Sequence, residues 1–412
     1  MRLIADLHVH SRFSLATSPT TDLPTLARWA KLKGIGLLGS GDFTHPQWFS
    51  DLQHHLTPLE NGLYSYQEVL FLLTVEVSVI WSQQQHLHKA HLLILAPDLR
   101  AAALINKELG KIGKLANNGR PTFGISAERL VEVVWNAAPA AEVIPAHIWT
   151  PWFSVFGAKS GFDSLAQCFG KHTDRIFAVE TGLSSDPAMN WRVSSLDRLA
   201  LISNSDAHSP PKLGREATLF NLPQPSYDSV IAAIKDHDPD RFLGTIEFYP
   251  QEGKYHYDGH RKCGVVLHPR EAIRLKNICP VCGKLLTIGV MHRVEELADR
   301  EGSEGPTQRF PVHHLVPLAE IIAQALGIGP ESRGVTREYS RLIKRFGNEF
   351  RILLDLREKD LRDGVPARVL QGITKARAGD LEIKHGYDGV YGKISIQFDQ
   401  QLGKASRAIA NR

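Results

Sequence analysis

The strongest constraint on this 412-residue chain is where its histidines and carboxylates fall. Through residues 1–250, short apolar runs alternate with helical segments, and imidazoles or carboxylates stand at the ends of most runs. Strand candidates are Leu3–Leu7, Ile35–Leu38, Val69–Val77, His91–Ala96, Val143–Ala146, Ile176–Glu180, Leu199–Ile202 and Leu243–Phe248. Several are almost wholly apolar, as parallel strands covered on both faces should be. Helical segments around Ala101–Leu115, Ser126–Trp135 and Tyr227–His237 fit between them, and an earlier helix runs from a cap at Asp22 to a stop at Gly34. This order argues for a β/α barrel with its functional groups at the C-terminal strand ends. An open doubly wound sheet is the runner-up.

His8 and His10 follow the first strand as an alternating pair that points both rings to one side. Asp42 and His45 follow the second strand, Glu76 ends a long apolar run, and His91 begins another. His147, Glu180, Asp206 and His208 close later runs. Parallel strands closing the same way would gather them at one mouth. Such donors suit Zn, Mn or Fe, and a bridging carboxylate can hold two ions together. Bound ions lower the pKa of a water and stabilise a leaving oxygen, which makes phosphoester hydrolysis the natural chemistry. Asp206 is the strongest single candidate, able to hold metal and orient the attacking water. Glu180 reads either as an extra ligand or as a support for the loop 181–185. His54, His55, His86, His88, His313 and His314 lack this placement and read as surface or hydrogen-bonding residues.

The net charge of +4 hides an asymmetry. Residues 1–253 carry 21 basic and 25 acidic side chains, whereas residues 254–412 carry 27 and 19. An acidic part that attracts cations precedes a basic part that attracts polyanions. The expected units are a barrel over 1–250, a metal-binding unit over 251–300 with a helix from Val290 to Arg300, and a basic mixed α/β domain over 301–412. Within the last, Ser340–Asp355 reads as a helix and His385–Phe398 as a glycine-punctuated strand region. Arg333, Arg337 and Arg341 recur at four-residue spacing, a stripe that can face phosphates or simply solvent. Lys212 and Arg215, just past Asp206, are within reach of a phosphate. The aromatic loop 148–157, with Trp152 and Phe156, can stack on bases or pack as a lid.

Four cysteines do not make a secreted disulfide scaffold, and Cys279-Pro280-Val281-Cys282 is a metal knuckle rather than a redox pair. Cys263 is the third ligand for a structural zinc and His260, at H-x-x-C spacing, the fourth, with His268 and His256 as rivals. Cys168 reads as a buried thiol. No secretory signal or membrane span is visible, so a cytoplasmic protein is expected.

His8-Val9-His10, the 41–45 segment GDFTH, Glu76, Pro145-Ala146-His147 and the 205–208 segment SDAH resemble the PHP (polymerase and histidinol phosphatase) superfamily. That resemblance implies a distorted (β/α)7 barrel and two or three divalent ions, Zn, Mn or Mg. His8, His10, Glu76 and Asp206 would surround the first, Glu76 would bridge to a second held by His91 and His147, and His45, His208 and Asp42 would hold a third. Asp206, Glu76 and His10 would be catalytic. A further histidine, common in the family after the first pair, is replaced here by Phe13 and Ser14, which weakens the third site.

The segments 253–264 (GKYHYDGHRKCG), 279–283 (CPVCG), 287–299 (TIGVMHRVEELAD) and 313–321 (HHLVPLAEI) extend the likeness over the full chain to the endonuclease Q group. This resemblance implies a DNA repair endonuclease that cuts immediately 5′ of uracil, hypoxanthine or xanthine, leaving 3′-hydroxyl and 5′-phosphate ends without excising the base. Asn190 and Asn204 are candidate donors to the deaminated base. No Walker loop is present, so no nucleotide cofactor is expected. A sliding clamp is a plausible partner for a repair nuclease, but the 397–402 stretch matches too weakly to assign one. The alternatives are a PHP phosphatase on a small phosphomonoester and a non-catalytic DNA-binding module.

Overall fold

The computed structural model describes residues 1–301, 305–306 and 309–399. The barrel wall is built from β1 (Arg2–Asp6), β2 (Leu37–Gly39), β3 (Val69–Gln83), β4 (His86–Ala96), β5 (Glu142–Pro145), β6 (Ala178–Glu180), β7 (Ala200–Ile202), β8 (Ala217–Asn221) and β9 (Phe242–Glu247). β1, β2 and β3 pair in parallel, and β6 pairs in parallel with β7. The segment after β7 returns to β1: Asn204 Oδ1 accepts from Leu7 N at 2.7 Å, and His10 N donates to Ala207 O at 3.2 Å. Among the described residues no helix is long and apolar enough to cross a membrane.

The wall departs from an all-parallel one in two places. β3 and β4 form a long antiparallel hairpin, and β8, which the apolar-run reading passed over, runs antiparallel to both β1 and β9. Glu76 therefore lies in the middle of a 15-residue strand rather than at its end. The reversal of β4 matters to the site. His91 stands directly opposite Ser78, two residues from Glu76, so the two side chains share a face.

Local signals place the outer helices. Asp22 accepts from Thr25 N at 2.9 Å to start Leu23–Lys33, and Gly34 ends it in a left-handed conformation. Helices Leu99–Leu109, Ala127–Ala137 and Tyr227–Asp236 begin on Asp98, Ser126 and Ser226 caps. The helix expected over Ser340–Asp355 instead spans Arg333–Phe346, because Ser332 caps it and Gly347, at φ 103°, turns the chain. A short π-helical segment, Arg351–Asp355, follows.

Val312–His314, expected in the C-terminal domain, joins the barrel sheet in parallel beside β9. The following helices, Leu318–Leu326, Arg333–Phe346 and Ala367–Ala378, enclose a second core around Ile321, Ile322, Leu342 and Ile373. A buried ion pair, Lys33 Nζ to Glu349 Oε2 at 2.7 Å, fastens that core to the first barrel helix. Removing one partner of such a pair costs about 3–5 kcal/mol. Of the 385–398 region expected as strand, only Lys393–Ser395 is one, and it pairs antiparallel with Glu382–Lys384, which precedes that region. Residues 400–402 of the stretch considered for a clamp contact lie outside the described residues.

Candidate metal centre

Glu76 organises the barrel mouth. It is fully buried, and its two oxygens face different groups of histidines. Oε2 lies 3.2 Å from His10 Nε2 and 3.5 Å from His8 Nε2, while Oε1 lies 2.6 Å from His91 Nδ1 and 3.0 Å from His147 Nε2. Asp206 Oδ1 completes the first group, 3.0 Å from His10 Nε2 and 3.6 Å from His8 Nε2. The donor atoms of His8, His10, Glu76 and Asp206 all lie within 4.8 Å of one another, as do those of Glu76, His91 and His147. One carboxylate borders both groups, the arrangement that suits a pair of divalent ions.

The electrostatics fit that use. Burial alone would lower His8, but Glu180, Glu76 and Asp206 outweigh it and hold the ring well above its ordinary pKa. His10 is raised likewise against its burial, by Asp206, Asp42 and Glu76. Glu76 and Asp206 both fall below the usual carboxylate range, the surrounding imidazoles outweighing burial. Protons on imidazole balance the carboxylate charge here, and divalent ions would displace them. His91 is different: burial pushes it down to about 4, leaving a neutral ring. His8 Nε2 is buried among these groups without a hydrogen-bond partner, as a ligand atom would be.

A second layer holds the rings. Glu180 reaches His8 Nδ1 with both oxygens at 3.0 Å and also accepts from His147 N and Asn204 Nδ2, each at 2.9 Å. Asp42 Oδ1 lies 3.2 Å from His10 Nδ1, and its Oδ2 accepts from Ser11 N, Ser11 Oγ and Ser14 Oγ. Glu180, read as either an extra ligand or a loop support, and Asp42, expected at a third metal, grip the far nitrogens of His8 and His10 and fix which nitrogen faces inward. Asp42, His147 and Asp206 all sit at positive φ, 49°, 29° and 46°, a conformation non-glycine residues rarely adopt. Close glycines support them: a Cβ at Gly182 would collide with His147, and one at Gly41 with the Val9 carbonyl.

The remaining residues expected here separate. His45 stacks on Phe13 at 4.2 Å, with Nε2 3.2 Å from the Ala116 carbonyl, and His208 packs 4.5 Å from the His10 ring. Neither joins a ligand group among the described residues. Of Phe13 and Ser14, which follow the first histidine pair, Phe13 stacks on His45 and Ser14 Oγ bonds to Asp42 and His10. The candidate base donors are also committed. Asn190 accepts from Trp149 Nε1 and donates to Asp186 O, and Asn204 joins Leu7 to Glu180. Phe156 is buried at 1% exposure against Trp149, out of reach of a base, whereas Trp152 is 52% exposed.

Arg120 was not singled out from the sequence. It donates from Nη1 to Glu76 Oε2 at 2.9 Å. The only sequence signal was a charged residue in the turn-forming Asn118-Gly119-Arg120-Pro121.

The cysteine unit forms a second, separate cluster. His260, Cys263, Cys279 and Cys282 bring their donors within 4.8 Å, and Cys282 Sγ lies 3.4 Å from His260 Nδ1. The hairpin Asp258–His260 with Val265–Leu267 supplies two donors, and the turn closed by Gly283 at φ 72° supplies the others. Burial would raise the Cys279 thiol, but the N–H groups of Val281 and Cys282 outweigh it and bring it down to about 7, which favours thiolate. Of the rivals, His268 Nδ1 accepts from Arg270 N to start a helix, and His256 stacks on Tyr257 and His385. Cys168 is buried, with its pKa pushed up by burial.

A cleft of about 1360 Å³ opens beside the centre, between barrel loops, the 250–256 segment and the C-terminal helices. Trp152, Lys212 and Arg215 line it, as do Tyr339 and Tyr391. Arg215 donates to the carbonyls of Ser205 and Asp206, and Thr150 lies 3.1 Å from His147 Nδ1, so cleft wall and ligand loops are one structure. Arg337 and Arg341 lie on an exposed helix face, with Arg341 paired to Glu338.

Comparison with known proteins agrees with this geometry. A family described as PHP-associated matches residues 191–239, and one described as MJ0043 C-terminal domain matches residues 317–380. The uncharacterized protein YqxK of Bacillus subtilis (strain 168) is 30% identical over 95% of this chain and 99% of its own. The uncharacterized protein MJ0043 of Methanocaldococcus jannaschii is 34% identical over 60% of this chain, though over only 31% of its own length. The crystal structure of the lesion-specific endonuclease PfuEndoQ from Pyrococcus furiosus superposes with a TM-score of 0.87 at 33% identity, covering 100% of this chain and 99% of that one. Endonuclease Q bound to a 27-mer duplex with an abasic lesion at its active site gives 0.85 at 33% identity, covering 98% of each chain. This chain belongs to the endonuclease Q family of the PHP superfamily.

Proposed function

We propose that the chain is a metal-dependent DNA repair endonuclease that hydrolyses the phosphodiester immediately 5′ of a deaminated base, uracil, hypoxanthine or xanthine. The observation that carries this reading is Glu76, whose two oxygens each border a separate group of ligand atoms. Divalent ions there, Zn, Mn or Mg, would acidify a water and stabilise charge on phosphoryl oxygens. His8, His10 and Asp206 would hold one and His91 with His147 the other; a structural zinc would occupy His260, Cys263, Cys279 and Cys282. Asp206, a quarter exposed, is the acid–base group and accepts the proton of the attacking water. A P–O bond to water forms as the P–O3′ bond breaks, the proton taken up by Asp206 passes to the leaving 3′-oxygen, and 3′-hydroxyl and 5′-phosphate ends result.

The cleft supports a polymer over a small phosphomonoester, since pockets for small ligands span about 300–1,000 Å³. Trp152 offers an exposed ring for a base, and Lys212, Arg215, Arg337 and Arg341 offer positive charge to the backbone. The barrel over 1–250, the zinc unit over 251–300 and the basic domain beyond would share the duplex, and the partner places the work at the nucleoid in the cytoplasm. The test is cleavage of end-labelled duplexes that differ only by cytosine or uracil at one position, with Mn²⁺ present or chelated. Cutting one bond 5′ of uracil, dependent on metal, is expected. An intact uracil strand beside rapid turnover of a small phosphomonoester would overturn the proposal.

A further inference from the structure

Among the described residues, Arg120 is the one arginine or lysine paired with a carboxylate of the two ligand groups. Its Nη1 lies 2.9 Å from Glu76 Oε2, the same oxygen that faces His8 and His10. The side chain of its partner Glu76 is fully buried, whereas that of Arg120 is 23% exposed. The segment that carries it is locked in place. Asn118 Oδ1 accepts from both Leu15 N and Arg120 N, Gly119 N donates to Phe13 O at 2.9 Å, and Pro121 O accepts from Ser78 N at 2.9 Å. A Cβ at Gly119 would collide with the Asp42 carboxylate and the Ser14 hydroxyl, so only glycine lets this turn lie against the layer behind His10. A surface arginine needs no such mounting.

We propose that Arg120 is a catalytic residue that donates hydrogen bonds to a non-bridging oxygen of the scissile DNA phosphate. Arg120 and a bound ion compete for the same carboxylate oxygen. Glu76 Oε2 has few lone pairs, and a divalent ion drawn to His8, His10 and Asp206 takes the ones that Arg120 now uses. The guanidinium has five N–H donors in a planar fork and cannot lose its charge, so donors freed from Glu76 require another anion. The anion brought to that place during the reaction is the phosphate, and a planar fork matches its oxygens. Charge that grows on those oxygens at the transition state strengthens the contact. This inference rests on the endonuclease reading.

The test separates the two. Calcium-loaded wild type and Arg120→Gln are titrated with a uracil duplex and with the same duplex carrying a neutral methylphosphonate at the bond 5′ of uracil. Neutralising that linkage should weaken the wild type about tenfold more than Arg120→Gln, the size of one charge-assisted hydrogen bond. Arg120→Lys should keep part of the difference, and metal content by mass spectrometry should equal that of the wild type. Equal losses in wild type and variant, or loss of metal from Arg120→Gln, would overturn the assignment while manganese-dependent cleavage by the wild type leaves the endonuclease reading intact. A wild type that leaves the uracil strand uncut would remove both.

Discussion

The barrel centre and the cysteine knuckle each gather metal-ligating atoms within 4.8 Å, but their surroundings differ in kind. His8, His10 and Glu76 are fully buried in a wall backed by a large apolar core that includes Ile4, Phe71, Val143, Leu219 and Ile246. The knuckle has a core of three buried residues, Ala272, Cys279 and Leu286, and Cys282 is exposed. At the barrel, folding energy from hydrophobic burial holds strained residues such as His147 and Asp206 in position, and Glu180 and Asp42 aim the histidines. At the knuckle, little apolar surface is buried, so a metal must supply the cohesion. Donor chemistry follows the same division. Three cysteines and a histidine close a tetrahedron, whereas imidazoles and carboxylates around a bridging Glu76 leave room for substrate.

The sharpest way to break this contrast is Cys279→Ser. We expect loss of one zinc per chain and a collapse of hydrogen-exchange protection over 258–286, a change of several kcal/mol, with the amides of β1 and β3 unaltered. If the barrel amides also opened, the two regions would not be independent. Asp206→Asn should do the converse. Single-turnover cleavage of a uracil duplex should fall about 10³-fold while the thermal midpoint moves by only a few degrees, since the substitution removes a ligand and the acid–base group but no core contact. Glu180→Gln should cost about 10- to 100-fold in metal affinity or rate, because the amide no longer supplies two acceptors behind His8. Metal titration followed by cleavage separates the two effects. The smallest change is expected from Trp152→Ala, about tenfold weaker binding of a lesion duplex by fluorescence anisotropy, with metal content unchanged.

Much of the ligand set was legible because adjacent residues carried it. His8-Val9-His10 and Asp206-Ala207-His208 announce two strand ends, and H-x-x-C spacing singled out His260. What the chain could not display was strand direction. His91 looked like the start of another parallel strand, and only the antiparallel hairpin brings it to the face of Glu76. Nor could the roles of Glu180 and Asp42 be separated from those of ligands, since a carboxylate behind a histidine and one in front of it have the same sequence signature. Arg120 escaped notice because its partner lies 44 positions away and its segment has no strand or helix period. The C-terminal helix was misplaced by reading through Gly347, where the positive φ ends it.

The most direct measurement is anomalous scattering from crystals grown with manganese and zinc, collected at both absorption edges. Two manganese peaks should flank the Glu76 carboxylate, one beside His8, His10 and Asp206 and one beside His91 and His147, with a single zinc peak among His260, Cys263, Cys279 and Cys282. A barrel without peaks at Glu76, or with ions only at His45 and His208, would contradict the account.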